Sequence, residues 1–108
     1  MLRISLFAAV TGISLLISAT GQAQESAIER GHGFAQENCA RCHAIGPVGD
    51  SPLPKAPPFR TLHQRYPVED LAESLAEGIK TGHPAMPNFE LGQDQINNLI
   101  AYLKSLNE

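Results

Sequence analysis

The clearest periodicity lies at the end of the chain. Ile96, Leu99, Ile100, Leu103 and Leu106 recur at steps of three and four, with Tyr102 beside them. That spacing lines up one face of an α-helix. Gly92 is an acceptable N-cap, Gln95 occupies the third helical position, and Leu91 can staple to Ile96. A helix from about Gln93 is therefore predicted. A second stripe, Leu71, Leu75 and Ile79, has steps of four. Pro67 stands where helices start, Glu69 and Asp70 suit the first turn, and Gly78 or Gly82 can end the helix. Earlier, Ile28, Gly31, Phe34 and Ala35 share a face. Ser26 and Glu29 have the spacing of a capping box, which predicts a helix start near Ala27 and a run into Cys39. Residues Arg60 to Arg65 suit a short helix.

Between these stretches the pattern breaks. Gly46 to Pro58 holds five prolines in thirteen residues, a loop with fixed corners. A second proline-bounded loop runs from Gly82 to Glu90. No segment alternates apolar and polar positions over a strand's length. The expected class is all-α, three main helices plus a short one.

Residues Ile4 to Ile17 are a continuous apolar run behind the lone charge of Arg3. Small and polar residues follow, with Gly21 and Ala23 at the small positions. This is the layout of a secretory signal peptide, with cleavage expected after Ala23. The run is short for a membrane anchor, which needs ~20 apolar residues. The organisation is thus residues 1–23 as signal and 24–108 as one domain, with no membrane span after cleavage. Removing 23 of the 108 residues leaves 85, and losing Arg3 moves the net charge from −3 to −4. An acidic chain of this size does not suit nucleic acid, which calls for a basic stripe. With no tryptophan and 6% aromatics, the domain's own core is modest.

The chemistry sits in Cys39-Ala40-Arg41-Cys42-His43. C-x-x-C-H is a c-type haem attachment pattern. Two thiols one helical turn apart can bond both vinyl groups on one side of a porphyrin, and the next imidazole can reach the iron. Three other chemistries use parts of this pattern. A thioredoxin-like dithiol follows a strand, a zinc site needs four ligands, and a disulfide here would close only a tight loop. Export favours haem, because exported thiols otherwise oxidise. After cleavage Met86 is the only methionine, in a stiff polar loop between Pro84 and Pro87. A thioether is a weak donor and needs such a loop to press it onto iron, so Met86 is the candidate distal ligand. His83 is the rival; His32 and His63 are expected to be solvated.

The chain resembles the class I c-type cytochromes, the small bacterial monohaem kind. The resemblance covers the whole mature segment. Its motifs are G-x-x-F-x-x-x-x-C-A-R-C-H at Gly31–His43, A-P-P-F at Ala56–Phe59, M-P-N-F at Met86–Phe89 and L-I-A-Y-L-K at Leu99–Lys104. It implies the cytochrome c fold around one covalently bound haem c per chain, held by Cys39 and Cys42, with His43 and Met86 on the iron. It also implies that Gly31 meets Tyr102 at a close helix crossing, and that the Pro57 carbonyl accepts the His43 Nδ1–H. Arg60 and Arg65 are candidates for a haem propionate. Ile45, Phe59, Leu62, Leu71, Leu75, Phe89 and Leu99 would pack around the ring.

With both axial positions filled, a substrate finds no open site. The implied function is a periplasmic one-electron carrier, not an enzyme. Its partners would be an oxidase, reductase or dehydrogenase in transient complexes, and the chain itself a monomer. The alternative is a haem enzyme or gas-sensing subunit with a displaceable distal ligand. With only Lys55, Lys80 and Lys104 as lysines, docking is expected to be apolar, near Ile45, Pro47 and Met86, rather than through a lysine ring.

Overall fold

The computed structural model describes residues 5, 8–16, 20–78 and 85–107. Three α-helices carry the fold: α1 over Thr20–Asn38, α2 over Leu71–Glu77 and α3 over Gln93–Ser105. Two 3₁₀ segments, Phe59–Gln64 and Val68–Asp70, lie between α1 and α2. Among the described residues there is no strand. The class is all-α, as the residue pattern predicts.

The start of α3 follows local chemistry. Gly92 stands at the N-cap in extended geometry, and its N–H donates to Gln95 Oε1 at 3.0 Å. Glycine has no side chain to return the bond, so the capping box is half-made. Ile96, Leu99, Tyr102 and Leu103 are buried along one face, Leu103 at 2% exposure. Lys104, in the last turn, reaches Glu69 Oε1 at 2.8 Å. Both side chains are about half-exposed, so the pair adds little stability.

Helix α1 starts earlier than the sequence pattern suggests, at Thr20 rather than near Ala27. The capping signal at Ser26 goes unused. Ser26 Oγ instead accepts a hydrogen bond from Arg30 Nη1 one turn on, within a helix already running. No proline interrupts residues 20–26, so nothing forbids the extra turns. Among the described α1 side chains, the first packed against the core is Ile28.

α1 packs chiefly on α3. The crossing passes over Gly31, which is buried. A Cβ built there would overlap the Asn98 carbonyl and lie 2.8 Å from Tyr102 Cβ. Only a residue without a side chain permits that approach.

Pro67 is extended and sits before a single 3₁₀ turn, so regular α geometry begins at Leu71, later than Pro67 implies. α2 ends at Gly78, with φ +92°. Ile79 and Gly82, the other residues expected in this stripe and its end, lie outside the described residues. Phe59 and Leu62, three apart in the first 3₁₀ segment, are both buried, since a three-residue turn aligns positions i and i+3. Ala35, Phe59, Leu62, Val68, Leu75, Ile96, Leu99, Tyr102 and Leu103 form the core, with Ile45 and Leu71 packed partly buried against it. Phe89 is half-buried and does not belong to that cluster.

Candidate functional site

The C-x-x-C-H residues extend α1 by one irregular turn. Cys39 N–H and Ala40 N–H both donate to the Ala35 carbonyl, at 2.8 and 3.0 Å. Cys42 N–H and His43 N–H both donate to the Cys39 carbonyl, at 3.1 and 2.9 Å. The turn holds Cys39 and Cys42 at i and i+3, the spacing that puts two side chains on one side of a helix. Both thiols are free and half-buried. Burial pushes the Cys39 thiol up to about 11. A thiol kept protonated is a poor nucleophile, which disfavours the dithiol-exchange reading.

The proline-rich loop then folds back onto this turn. Leu53 N–H donates to the Cys42 carbonyl at 3.1 Å, Ala44 N–H to Ser51 Oγ at 2.9 Å, and Phe59 N–H to the Ala44 carbonyl at 2.9 Å. The last of these closes the loop and brings Pro57 beside His43. His43 Nδ1 lies 2.8 Å from the Pro57 carbonyl oxygen. A carbonyl can only accept, so Nδ1 carries the proton and Nε2 keeps its lone pair. The Phe59 ring lies 5.1 Å from the imidazole, tilted by 46°. Hydrogen bond and ring contact together fix the orientation of His43.

Tyr102 adds a tie that residue spacing did not indicate. Its hydroxyl donates to the Ile45 carbonyl at 2.5 Å, joining α3 to the chain two residues past His43. Burial raises its phenol, so the donor stays protonated at working pH. The available signal was a tyrosine on the apolar side of the last helix, since a buried Tyr hydroxyl needs a partner. The exposed His32 ring sits 5.0 Å from that of Tyr102, while His63 is exposed.

Met86 lies half-buried in the segment that leads from α2 to α3. His83 lies outside the described residues. Among the described residues, no three His, Cys, Asp or Glu side chains gather as a metal-binding cluster. A groove lined by Ile28, Ala72, Ile96, Ile100, Glu69 and Lys104 contains none of the motif residues.

Residues 26–103 match the family model described as cytochrome c oxidase, cbb3-type, subunit III. The chain belongs to this c-type cytochrome family. It is also similar to cytochrome c-552 of Bradyrhizobium diazoefficiens, 30% identical over 98 residues that cover 88% of this chain and 92% of the relative. No solved structure matches it.

The cytochrome's cofactor is haem c, covalently bound. Its residues fit that group. Two thiols and an oriented imidazole share one turn, and the adjoining core is apolar. A further observation points to the same group. Among the described residues, Arg60 Nη1 is buried with no hydrogen-bond partner. A buried guanidinium nitrogen without an acceptor is costly, and a haem carboxylate would supply one. Arg65, the other arginine candidate, is exposed. Among the described residues, no helix of the cytochrome is long and apolar enough to cross a membrane.

Proposed function

We propose that this cytochrome is an exported one-electron carrier with Cys39 and Cys42 bound to the haem, His43 as proximal ligand and Met86 as distal ligand. Haem iron supplies a ferric/ferrous couple and so moves one electron at a time. The observation that carries the reading is the bond from His43 Nδ1 to the Pro57 carbonyl, 2.8 Å long. It selects the tautomer in which Nε2 can bind metal, and it raises the donor strength of the ring. Ligand geometry that stays the same through a redox cycle suits fast transfer, and a ring pinned by Pro57 and Phe59 has little freedom to change. Met86 is the only methionine outside the leader, and its half-buried position suits a side chain turned toward an apolar crevice. Arg60 is the residue we assign to a propionate.

Export to the periplasm is supported by the apolar leader. Val10, Ile13, Leu15 and Leu16 are each at least 85% exposed, so this fold offers them no cover. Ile28, the earliest of the described side chains packed against the core, lies beyond the cleavage point proposed after Ala23. The partners we propose are redox proteins met in short-lived complexes. Docking would use the apolar surface at Pro47 and Val48, which are exposed, together with half-buried Ile45 and Met86. Lys104 is occupied by Glu69, which leaves little positive charge for steering.

The test is an optical redox titration with and without carbon monoxide. The carrier reading expects a low-spin spectrum, a weak red band from the methionine–ferric bond, and ferrous protein that resists carbon monoxide. Met86→Ala should lower the potential, abolish the band and admit carbon monoxide, whereas His83→Ala should change little. Wild-type protein that binds carbon monoxide readily would favour a haem enzyme or gas sensor. Loss of low-spin ligation in His83→Ala would move the distal role to His83.

A further inference from the structure

The stretch after Met86 touches α2 at two points. Leu91 N–H donates to the carbonyl of buried Leu75 at 2.9 Å. Nearer Met86, the Asn88 carboxamide lies over Gly78, the residue that ends α2. A Cβ built on Gly78 would sit 2.5 Å from Asn88 Oδ1 and 3.2 Å from both Cγ and Nδ2. Gly78 has φ +92° and ψ 125°, a backbone conformation that L side chains rarely adopt. Glycine is required there by the backbone, while the exposed Asn88 carboxamide rests in the space that a side chain would take.

Only Pro87 separates Met86 from Asn88. Proline holds φ near −65°, which removes one of the dihedrals that could absorb a shift between Asn88 and Met86. We propose that Gly78 and Asn88 are positioning residues, a latch that seats the Met86 segment on the end of α2 and so holds the thioether at the iron. This rests on Met86 being the distal ligand. The chemistry makes the latch necessary, because a neutral thioether binds weakly and is lost when its backbone is displaced. Leu91 secures the far end of the segment, five residues from Met86, and cannot by itself fix that position. The Asn88 contact is the near anchor.

The experiment uses haem-loaded protein and four variants: Gly78→Ala, Asn88→Ala, the pair together, and Met86→Ala. Readouts are the weak red band of the ferric protein, the rate of carbon monoxide binding to the ferrous protein, and the potential. A structural defect elsewhere would lower the melting temperature without moving these. Gly78→Ala is expected to weaken the band and speed carbon monoxide binding about tenfold, the effect of strain and displacement at one backbone position. Asn88→Ala, which adds no atoms, should move both readouts in the same direction by less. The pair should be no worse than Gly78→Ala alone, because both changes break one contact. Should Gly78→Ala fail to load haem, Asn88→Ala still decides: unchanged band and carbon monoxide rate would overturn the latch. Fully additive effects in the pair would overturn it as well. Met86→Ala separates the two levels. If it keeps the red band, the ligand reading fails; if it loses the band while the latch variants keep theirs, only the latch fails.

Discussion

Two glycines on one helix give a sharp test of the α1–α3 crossing. Gly31 and Gly33 are two residues apart on α1. Replacing either with alanine gains about 0.8–1.0 kcal/mol of helix propensity. At Gly33 a new Cβ meets nothing within 4 Å, so Gly33→Ala should keep that gain. At Gly31 the new Cβ overlaps the Asn98 carbonyl and comes within 2.8 Å of Tyr102 Cβ. The obstacle is backbone of the facing helix, which no rotamer change can clear. Ordinary contact would need α3 to retreat by more than ~1 Å, and a gap of ~1 Å already forfeits up to about half of each lost dispersion contact. The retreat would loosen Ala35, Leu99 and Leu103, at 0%, 4% and 2% exposure. Overpacking of this kind costs roughly 1–3 kcal/mol, and more when backbone must move. Because backbone must move, the upper figure of about 3 kcal/mol applies; with the propensity gain of about 1 kcal/mol subtracted, Gly31→Ala should lose about 2 kcal/mol. In a domain of this size that lowers Tm by roughly 8–16 °C, while Gly33→Ala raises it by about 4–8 °C. Far-UV circular dichroism melts of the haem-loaded proteins measure both. If Gly31→Ala melts at or above wild type, or the two variants shift together, the crossing is not as close as described.

Three further outcomes are expected. Cys39→Ser with Cys42→Ser should yield protein without covalently held haem and with most helix signal lost; a folded, colourless variant with native helix content would show that the haem does not organise the core. Electron exchange with the physiological oxidant should depend only modestly on ionic strength, and stopped-flow rates that fall steeply with salt would reveal a charged docking face. The Lys104 hydrogen bond lowers Glu69 below its ordinary carboxylate value. The pair's small contribution is therefore present above the unfolded value and lost as pH falls through the lowered one. NMR titration of the Glu69 carboxyl should show it rise in Lys104→Ala.

Helical periodicity was legible where the local pattern and the fold agree. α3 begins at Gln93 with Gly92 and Gln95 in their expected places, because capping is decided within four residues. The buried face of α3 follows from spacing alone. The start of α1 was less legible, since a capping pattern marks where a helix can begin without forbidding an earlier turn. Phe59 and Phe89 illustrate another limit: both are apolar, yet Phe59 is buried in the helical core while Phe89 is half-buried in the Met86 segment. Hydrophobicity reports a preference for burial, and only packing decides whether a place is vacant.

The residue order by itself determined the all-α class and the thiol–thiol–imidazole turn, whereas the meeting of Gly31 with Tyr102 was implied only by the resemblance to the class I c-type cytochromes. The class and the turn depend on neighbours within a turn or on a motif of fixed spacing. Tertiary structure alone decided what surrounds that turn. The Ile45 carbonyl meets the Tyr102 hydroxyl across 57 residues, Asn88 settles over Gly78, and Arg60 Nη1 is enclosed with no partner among the described residues. These contacts arise when helices carrying their own periodic faces are pressed together and the loops between them must close. Which polar groups then meet is set by that closure rather than by any local pattern.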